Sequence, residues 1–122
     1  MWSNCLFVAM GGGLGAVGRY LLSLIAAPWS FPVMTLLTNF LGAVVIGAVA
    51  QAAGQLPMSK SAVLFLKTGL CGGFTTFSTF SLETVELLEQ GRWAAGGGYI
   101  LASVGLCLAG VLLGRALVWK IL

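Results

Sequence analysis

The sequence predicts an all-α membrane protein: a single domain, residues 1–122, with four transmembrane helices, the third of them broken. Hydrophobic residues make up 59% of the 122 residues and charged residues only 7%, whereas a typical soluble domain has about 25% charged residues. One membrane-spanning helix needs about 20 predominantly apolar residues. A chain of this length therefore holds about four spans joined by short loops.

The first predicted span covers residues 4–26 and the second covers residues 33–53. The chain start lacks the basic region and cleavage site of a signal peptide, so we expect the first span to be a mature helix. Pro28 and Pro32 stop helices between the two spans, and the intervening aromatic residues suit a membrane–water interface. Glycine and proline in residues 54–60 close the second span.

The third predicted span covers residues 61–90, and its middle combines paired glycines with β-branched threonines, at Gly72-Gly73-Phe74-Thr75-Thr76. Both residue types weaken a helix, so we expect a break there. The second half of this span carries the only three carboxylates of the chain, which places its far end at or beyond the lipid headgroups. The fourth span covers residues 93–119, after a turn at Gly91-Arg92.

The composition excludes several functions. With no histidine and three carboxylates, the chain lacks the usual groups of acid–base catalysis and of most metal sites, and we expect it not to be an enzyme. The six lysines and arginines are scattered rather than clustered, so no nucleic acid partner is expected. The three cysteines lie far apart in apolar runs and are interpreted as small packing residues.

Polar residues inside the predicted spans mark a candidate site, because such residues are costly in lipid. Thr35 and Asn39 lie four apart on one face of the second helix, although Asn39 by itself is equally typical of polar packing between helices. The third segment adds a dense group of hydroxyl residues, which are Thr75, Thr76, Ser78, Thr79 and Ser81. No acidic residue precedes Glu83, and neutral donors without a negative charge favour an anion.

Aromatic and basic residues extend this pattern. Phe77 and Phe80 lie three apart, either as plain core residues or as part of an anion path, since ring edges are positive. Tyr99 and Ser103 repeat four apart on the fourth helix. Arg19 lies within the first span, where it faces a watery vestibule or reaches the surface.

The expected break and the charge balance both bear on assembly. A broken helix exposes backbone carbonyls, and carbonyls around Gly72 and Thr75 could converge on an ion such as sodium if two protomers met there; a glycine kink satisfied by neighbouring helices is the alternative. The slight bias of basic residues between the two sides permits insertion in both orientations, although a fixed topology fits as well. Small residues four apart offer close helix contacts within or between protomers, at Gly11/Gly15, Ala43/Gly47 and Gly110/Gly114.

Three sequence elements resemble the small fluoride channels of the Fluc or CrcB family. Residues 15–20 resemble its GAxxRY element, residues 35–42 its TxxxNxxG element, and residues 72–80 its GGxTTFSTF signature. The resemblance implies a fluoride-selective channel that mediates passive fluoride efflux and protects a microbial cell. It also implies an antiparallel, dual-topology homodimer with two pores in the inner (plasma) membrane of a bacterium or similar microbe.

The resemblance further implies roles for individual residues. The fluoride pathway it implies is lined by Asn39, Phe77, Phe80, Thr79, Ser103, Tyr99, Arg19 and Thr35. Gly72 and Thr75 match the carbonyl donors of a structural sodium ion at the dimer centre. Two other functions stay open: a proton-coupled exporter of small cations, which needs an embedded carboxylate, and a non-transporting membrane scaffold.

Overall fold

The computed structural model describes residues 1–25 and 28–122, and the regular secondary structure of these residues is entirely helical. The elements are α1 (Trp2–Ser23), α2 (Val33–Gln55), α3 (Lys60–Val63), the π-helix π1 (Leu64–Cys71), α4 (Gly72–Phe74), α5 (Phe77–Glu89) and α6 (Trp93–Ile121). Three of them, α1, α2 and α6, are long and apolar enough to cross a membrane. The predicted all-α membrane class is therefore confirmed.

The helix ends differ from the predicted spans by a few residues. Helix α1 begins two residues before the predicted start and ends at Ser23, and residue 26, where the prediction ends, lies outside the described residues. Helices α2 and α6 each continue two residues past the predicted ends at 53 and 119. Backbone hydrogen bonding continues through Gly54 and Gln55 in α2 and through Lys120 in α6, whereas the predictions ended these spans before those residues.

The third segment is helical from residue 60 to residue 74 and again from Phe77. The two residues between, Thr75 and Thr76, are extended, with φ −84° and ψ 156° at Thr75 and φ −149° and ψ 109° at Thr76. Gly72 and Gly73 themselves are helical. The helix is thus interrupted at the two threonines and not at the two glycines that precede them.

Gly73, together with Gly11 and Gly15 of α1, allows α1 to pack closely on π1 and α4. A Cβ atom on Gly73 would overlap the backbone of Gly12, and one on Gly11 would overlap the carbonyl of Phe65. A Cβ on Gly15 would likewise overlap the carbonyl of Leu70. Backbone-to-backbone contact of this kind requires residues without a side chain.

A second glycine contact joins α2 to α6. A Cβ on Gly47 would overlap the Val111 carbonyl, and one on Gly114 would overlap the Val44 carbonyl. Together with the α1 contacts, these positions show that the small-residue pairs of the sequence pack helices within one protomer.

The outer surface of the protomer is apolar. Leu101 is 76% exposed and Leu112 is 68% exposed, on the helix with the longest apolar run. Exposed tryptophans mark the two ends of the bundle: Trp2 begins α1, whereas Trp93 begins α6 after the connection from α5. Aromatic residues at both ends of an apolar surface are typical of proteins that span a bilayer.

Candidate functional site

The side chain of Asn39 hydrogen-bonds to the backbone of the interruption between α4 and α5. Its side-chain Nδ2 donates to the carbonyl of Thr76 at 3.2 Å, and the Thr76 N–H donates to Asn39 Oδ1 at 2.8 Å. The side-chain amide thereby replaces the helical partners that Thr76 loses in its extended conformation. Because both backbone groups would otherwise lack a partner in an apolar setting, Asn39 fixes the position of the interruption against α2.

The hydroxyl of Thr76 organises the start of α5. Thr76 Oγ1 accepts from the N–H of Thr79 at 3.1 Å and donates to Thr79 Oγ1 at 2.9 Å. It also lies 3.2 Å from Ser78 Oγ. This N-cap leaves the N–H groups of the first turn of α5 directed at the interruption, where a helix carries partial positive charge.

Arg19 is held inside the bundle rather than reaching away to the surface. It is half-buried, and its Nε donates to the carbonyl of Gly73 at 3.2 Å. It lines a cavity of about 40 Å³ whose walls are formed by Arg19, Ser23, Met34, Thr35, Thr38, Thr76 and Thr79. Among the described residues, this lining holds one cation, five hydroxyls and no carboxylate, a composition that attracts an anion.

A larger open groove of about 590 Å³ lies on the other side of the Asn39–Thr76 contact. Asn39, Phe77, Phe80 and Ser103 all line it. Thr76 lines both the groove and the small cavity. Apart from Tyr99, the sequence-predicted pathway residues therefore fall into two groups that meet at Thr76, with Arg19, Thr35 and Thr79 in the small cavity.

The rings of the site form a continuous series. Phe77 and Phe80 have centroids 5.5 Å apart at 50°, and Phe80 and Tyr99 have centroids 5.1 Å apart at 57°. Phe31 then meets Tyr99 edge-on, at 5.3 Å and 81°. The outer ring, Phe77, is 79% exposed, whereas Phe80 is only 9% exposed.

Ser103 differs from Thr84, another buried hydroxyl residue, in its hydrogen bonding. It is 7% exposed, and its Oγ has no hydrogen-bond partner among residues 1–25 and 28–122. Thr84, equally buried, donates to the carbonyl of Phe80 at 2.7 Å. Ser103, which lines the groove together with Phe80, thus carries a buried hydroxyl that no described residue pairs.

Tyr99 lies apart from the groove although it shares a helix face with Ser103. It is fully buried, and its hydroxyl donates to Glu83 Oε1 at 3.0 Å. Sequence reasoning did not select Glu83 or Phe31 as partners of Tyr99. The spacing of Phe80, Glu83 and Leu87 on one face of α5 was the available signal for Glu83, whereas Phe31 lies in a connection and had none.

The carbonyls beside the interruption differ in their hydrogen bonds. Cys71 accepts from both the N–H and the hydroxyl of Thr75, at 3.0 Å and 2.8 Å, and the Gly73 and Thr76 carbonyls accept from Arg19 and Asn39. Within the described part of the chain, no group donates to the carbonyl of Gly72 or Thr75. Both residues line the groove, and unpaired carbonyls are ligands that fit a sodium ion.

Fold and site together define a multi-pass membrane protein in which neutral donors and one arginine surround an interrupted helix. Residues 6–115 match the family model described as CrcB-like protein, Camphor Resistance (CrcB). The chain belongs to the CrcB-like family, as the sequence resemblance indicated.

Three relatives, each named fluoride-specific ion channel FluC, match nearly the full chain. The protein of Roseiflexus sp. is 48% identical over 115 residues, covering 91% of this chain and 93% of that protein. The protein of Ruminiclostridium cellulolyticum is 45% identical over 118 residues, with 93% and 91% covered. The protein of Shewanella frigidimarina is 46% identical over 122 residues, with 97% and 98% covered.

Proposed function

We propose that this protein is a fluoride-selective ion channel that mediates passive fluoride efflux and protects the cell from fluoride. Relatives 45–48% identical to it carry the name fluoride-specific ion channel. The site supports the same function, because its lining supplies amide, hydroxyl and ring-edge contacts without a carboxylate in the groove. Several weak donor sites let a small, strongly hydrated anion exchange its water and still leave.

The single observation that carries this proposal is the buried hydroxyl of Ser103 beside Phe80, which has no partner among the described residues. A buried donor without a partner costs about 1–3 kcal/mol. Fluoride accepts hydrogen bonds strongly, so a passing ion would satisfy this group while the edge of the Phe80 ring contributes its positive side. A purely structural serine would be expected to bond back to its own helix.

The two groups of site residues act in sequence in this proposal. Arg19 concentrates anions at the small cavity, where Thr35 and Thr79 supply hydroxyls. Thr76 borders both spaces, so an ion moving past it enters the groove at Asn39. Tyr99 lies outside the groove lining and contributes through its ring contact with Phe80.

The proposed channel is an antiparallel, dual-topology homodimer with two pores. Phe77 is 79% exposed at the edge of the open groove, and a second copy would cover that ring and enclose the groove. The Gly72 and Thr75 carbonyls of both copies would then hold the central sodium ion, whose charge would fix the two interruptions against each other. Residues 60–89 would cross the bilayer as one interrupted span, the third in chain order, which together with α1, α2 and α6 would give each protomer four spans.

We place this dimer in the inner (plasma) membrane of a bacterium. The three relatives described above come from bacteria, and the apolar exterior requires lipid as its surroundings.

Purified protein in liposomes tests this function. Vesicles loaded with potassium fluoride and given a potassium ionophore should release fluoride at a rate that grows with protein content, and chloride-loaded vesicles should not release chloride. Absence of fluoride release would favour a scaffold. Transport of a small cation that requires a proton gradient and is lost in Glu83→Gln would favour the proton-coupled exporter, since Glu83 is the half-buried carboxylate bonded to Tyr99.

A further inference from the structure

We propose that Arg92 is a positioning residue for the pathway: it ties the connection between α1 and α2 to the start of α6, and so holds Phe31 against the rings that back Phe80. This inference rests on the proposed fluoride channel function. It concerns a residue outside both the groove and the small cavity.

Arg92 makes two hydrogen bonds to one residue of the other connection. Its Nη1 donates to the carbonyl of Ser30 at 3.0 Å and its Nη2 donates to Ser30 Oγ at 3.1 Å. The planar guanidinium fits this paired arrangement in a way that a lysine ammonium cannot. The two residues are 62 positions apart in the chain, so the contact joins two separate ends of helices.

The backbone of Arg92 is itself fixed. Its N–H donates to the carbonyl of Leu87 at 2.9 Å, and its carbonyl accepts from the N–H of Gly96 at 2.9 Å. Gly91, with φ of +74°, makes the turn that brings Arg92 to this position. The guanidinium is therefore presented from a rigid base at the junction of α5 and α6.

The connection between α1 and α2 depends on Arg92 for its hydrogen bonds to distant residues. Among the described residues, the other hydrogen bonds of residues 28–32 are local, from Val33 N–H to the Phe31 carbonyl and from Leu36 N–H to the Pro32 carbonyl. The bonds from Arg92 are the ones that tie this connection to a distant part of the chain. We call these two hydrogen bonds from Arg92 to Ser30 the clamp. Without the clamp, the connection that carries Phe31 would be held by packing alone.

Phe31 transmits the position of the connection to the pathway. It follows Ser30 directly and meets Tyr99 edge-on at 5.3 Å, and Tyr99 lies 5.1 Å from Phe80. Phe31 is partly buried against the cluster of Phe80, Leu87 and Tyr99. A shift of Phe31 would therefore remove one of the ring contacts that position Tyr99, which packs against the Phe80 ring that we place beside the fluoride ion.

The test compares two conservative substitutions that keep the charge and hence the balance of basic residues across the membrane. Arg92→Lys should lower fluoride efflux from liposomes about threefold or more, because a lysine loses one of the two hydrogen bonds to Ser30. One such bond changes the equilibrium between the bonded and the released connection by a factor of about three to ten. Arg115→Lys, the same change at an exposed arginine of α6, should leave efflux unchanged. Thermal stability of both dimers is measured in parallel to exclude unfolding.

A double-mutant cycle identifies the route of the effect. In protein that already carries Phe31→Leu, adding Arg92→Lys should lower efflux no further, because the clamp acts through that ring. Amide hydrogen exchange over residues 28–36 should be faster in Arg92→Lys than in the wild type.

Three outcomes would overturn the clamp: unchanged efflux in Arg92→Lys, unchanged exchange, or a full additional loss in the Phe31→Leu background. Failure of the wild-type protein to release fluoride would instead show that the proposed function itself is wrong. The role proposed for Arg92, which rests on that function, would then be wrong as well.

Discussion

Replacing Asn39 by aspartate isolates the charge requirement of the pathway, since the two side chains have nearly the same shape. In Asn39→Asp, one carboxylate oxygen still accepts from the Thr76 N–H, which Asn39 Oδ1 contacts at 2.8 Å. The other oxygen faces the Thr76 carbonyl, 3.2 Å from the present Nδ2, and can no longer donate to it. The substitution thus removes one hydrogen bond and adds one negative charge at the groove.

The charge dominates the expected effect. The lost hydrogen bond costs about 1 kcal/mol of stability, which a folded protein tolerates. Two like charges about 4 Å apart repel each other by about 4 kcal/mol at an effective dielectric constant near 20. At 1.4 kcal/mol per factor of ten, occupancy by fluoride next to residue 39 should fall about a thousandfold.

Fluoride efflux from liposomes measures this loss, with dimer formation checked by size-exclusion chromatography. Gln51→Glu is the matched control, because it makes the same amide-to-carboxylate change on α2 at an exposed side-chain hydrogen bond to Gln55, outside the groove lining. We expect near-complete loss of efflux in Asn39→Asp and at most a twofold change in Gln51→Glu. Efflux within twofold of wild type in an intact Asn39→Asp dimer would refute a fluoride path along Asn39.

Three further substitutions test separate parts of the account. Phe80→Ile should reduce efflux at least tenfold while the dimer persists, since the ring edge is lost but apolar volume is largely kept; an unchanged rate would remove Phe80 from the pathway. Gly114→Ala should lower stability by about 1–3 kcal/mol, because its Cβ would overlap the Val44 carbonyl, whereas Gly105→Ala, with open space around it, should not; equal melting temperatures would contradict the packing. Arg19→Gln should slow efflux severalfold at low fluoride and less at high fluoride, as expected if the arginine concentrates anions, and a uniform loss at all concentrations would argue against that role.

The helical layout was predictable because apolar runs and proline or glycine punctuation determine where a membrane helix can begin and end. The position of the interruption was predictable only to within a few residues. Paired glycines and paired threonines both weaken helices, yet the structure keeps Gly72 and Gly73 helical, with Gly73 packed closely on α1, and extends Thr75 and Thr76 instead. Whether the glycine pair or the threonine pair leaves the helical conformation depends on tertiary contacts, which the sequence of this segment alone does not reveal.

The candidate site was predictable as a set of residue types and less so as an arrangement. Asn39 could be placed on a helix face, but its paired bonds to Thr76 depend on how α2 sits against the third segment. Tyr99 and Ser103 share a helix face by spacing, although the longer tyrosine side chain reaches past the groove to Glu83. Contacts between connections, such as Arg92 with Ser30, leave no periodic pattern in the sequence.

The measurement that tests the central claim most directly compares fluoride efflux in two variants that each remove one buried hydroxyl. Ser103 and Thr84 are both 7% exposed, but only the hydroxyl of Thr84 has a partner in the described chain. If the free hydroxyl of Ser103 serves fluoride, Ser103→Ala should slow efflux at least about tenfold with no loss of thermal stability, and Thr84→Val should leave efflux near the wild-type rate. Wild-type efflux in Ser103→Ala would contradict the claim that a donor held for the anion lies beside Phe80.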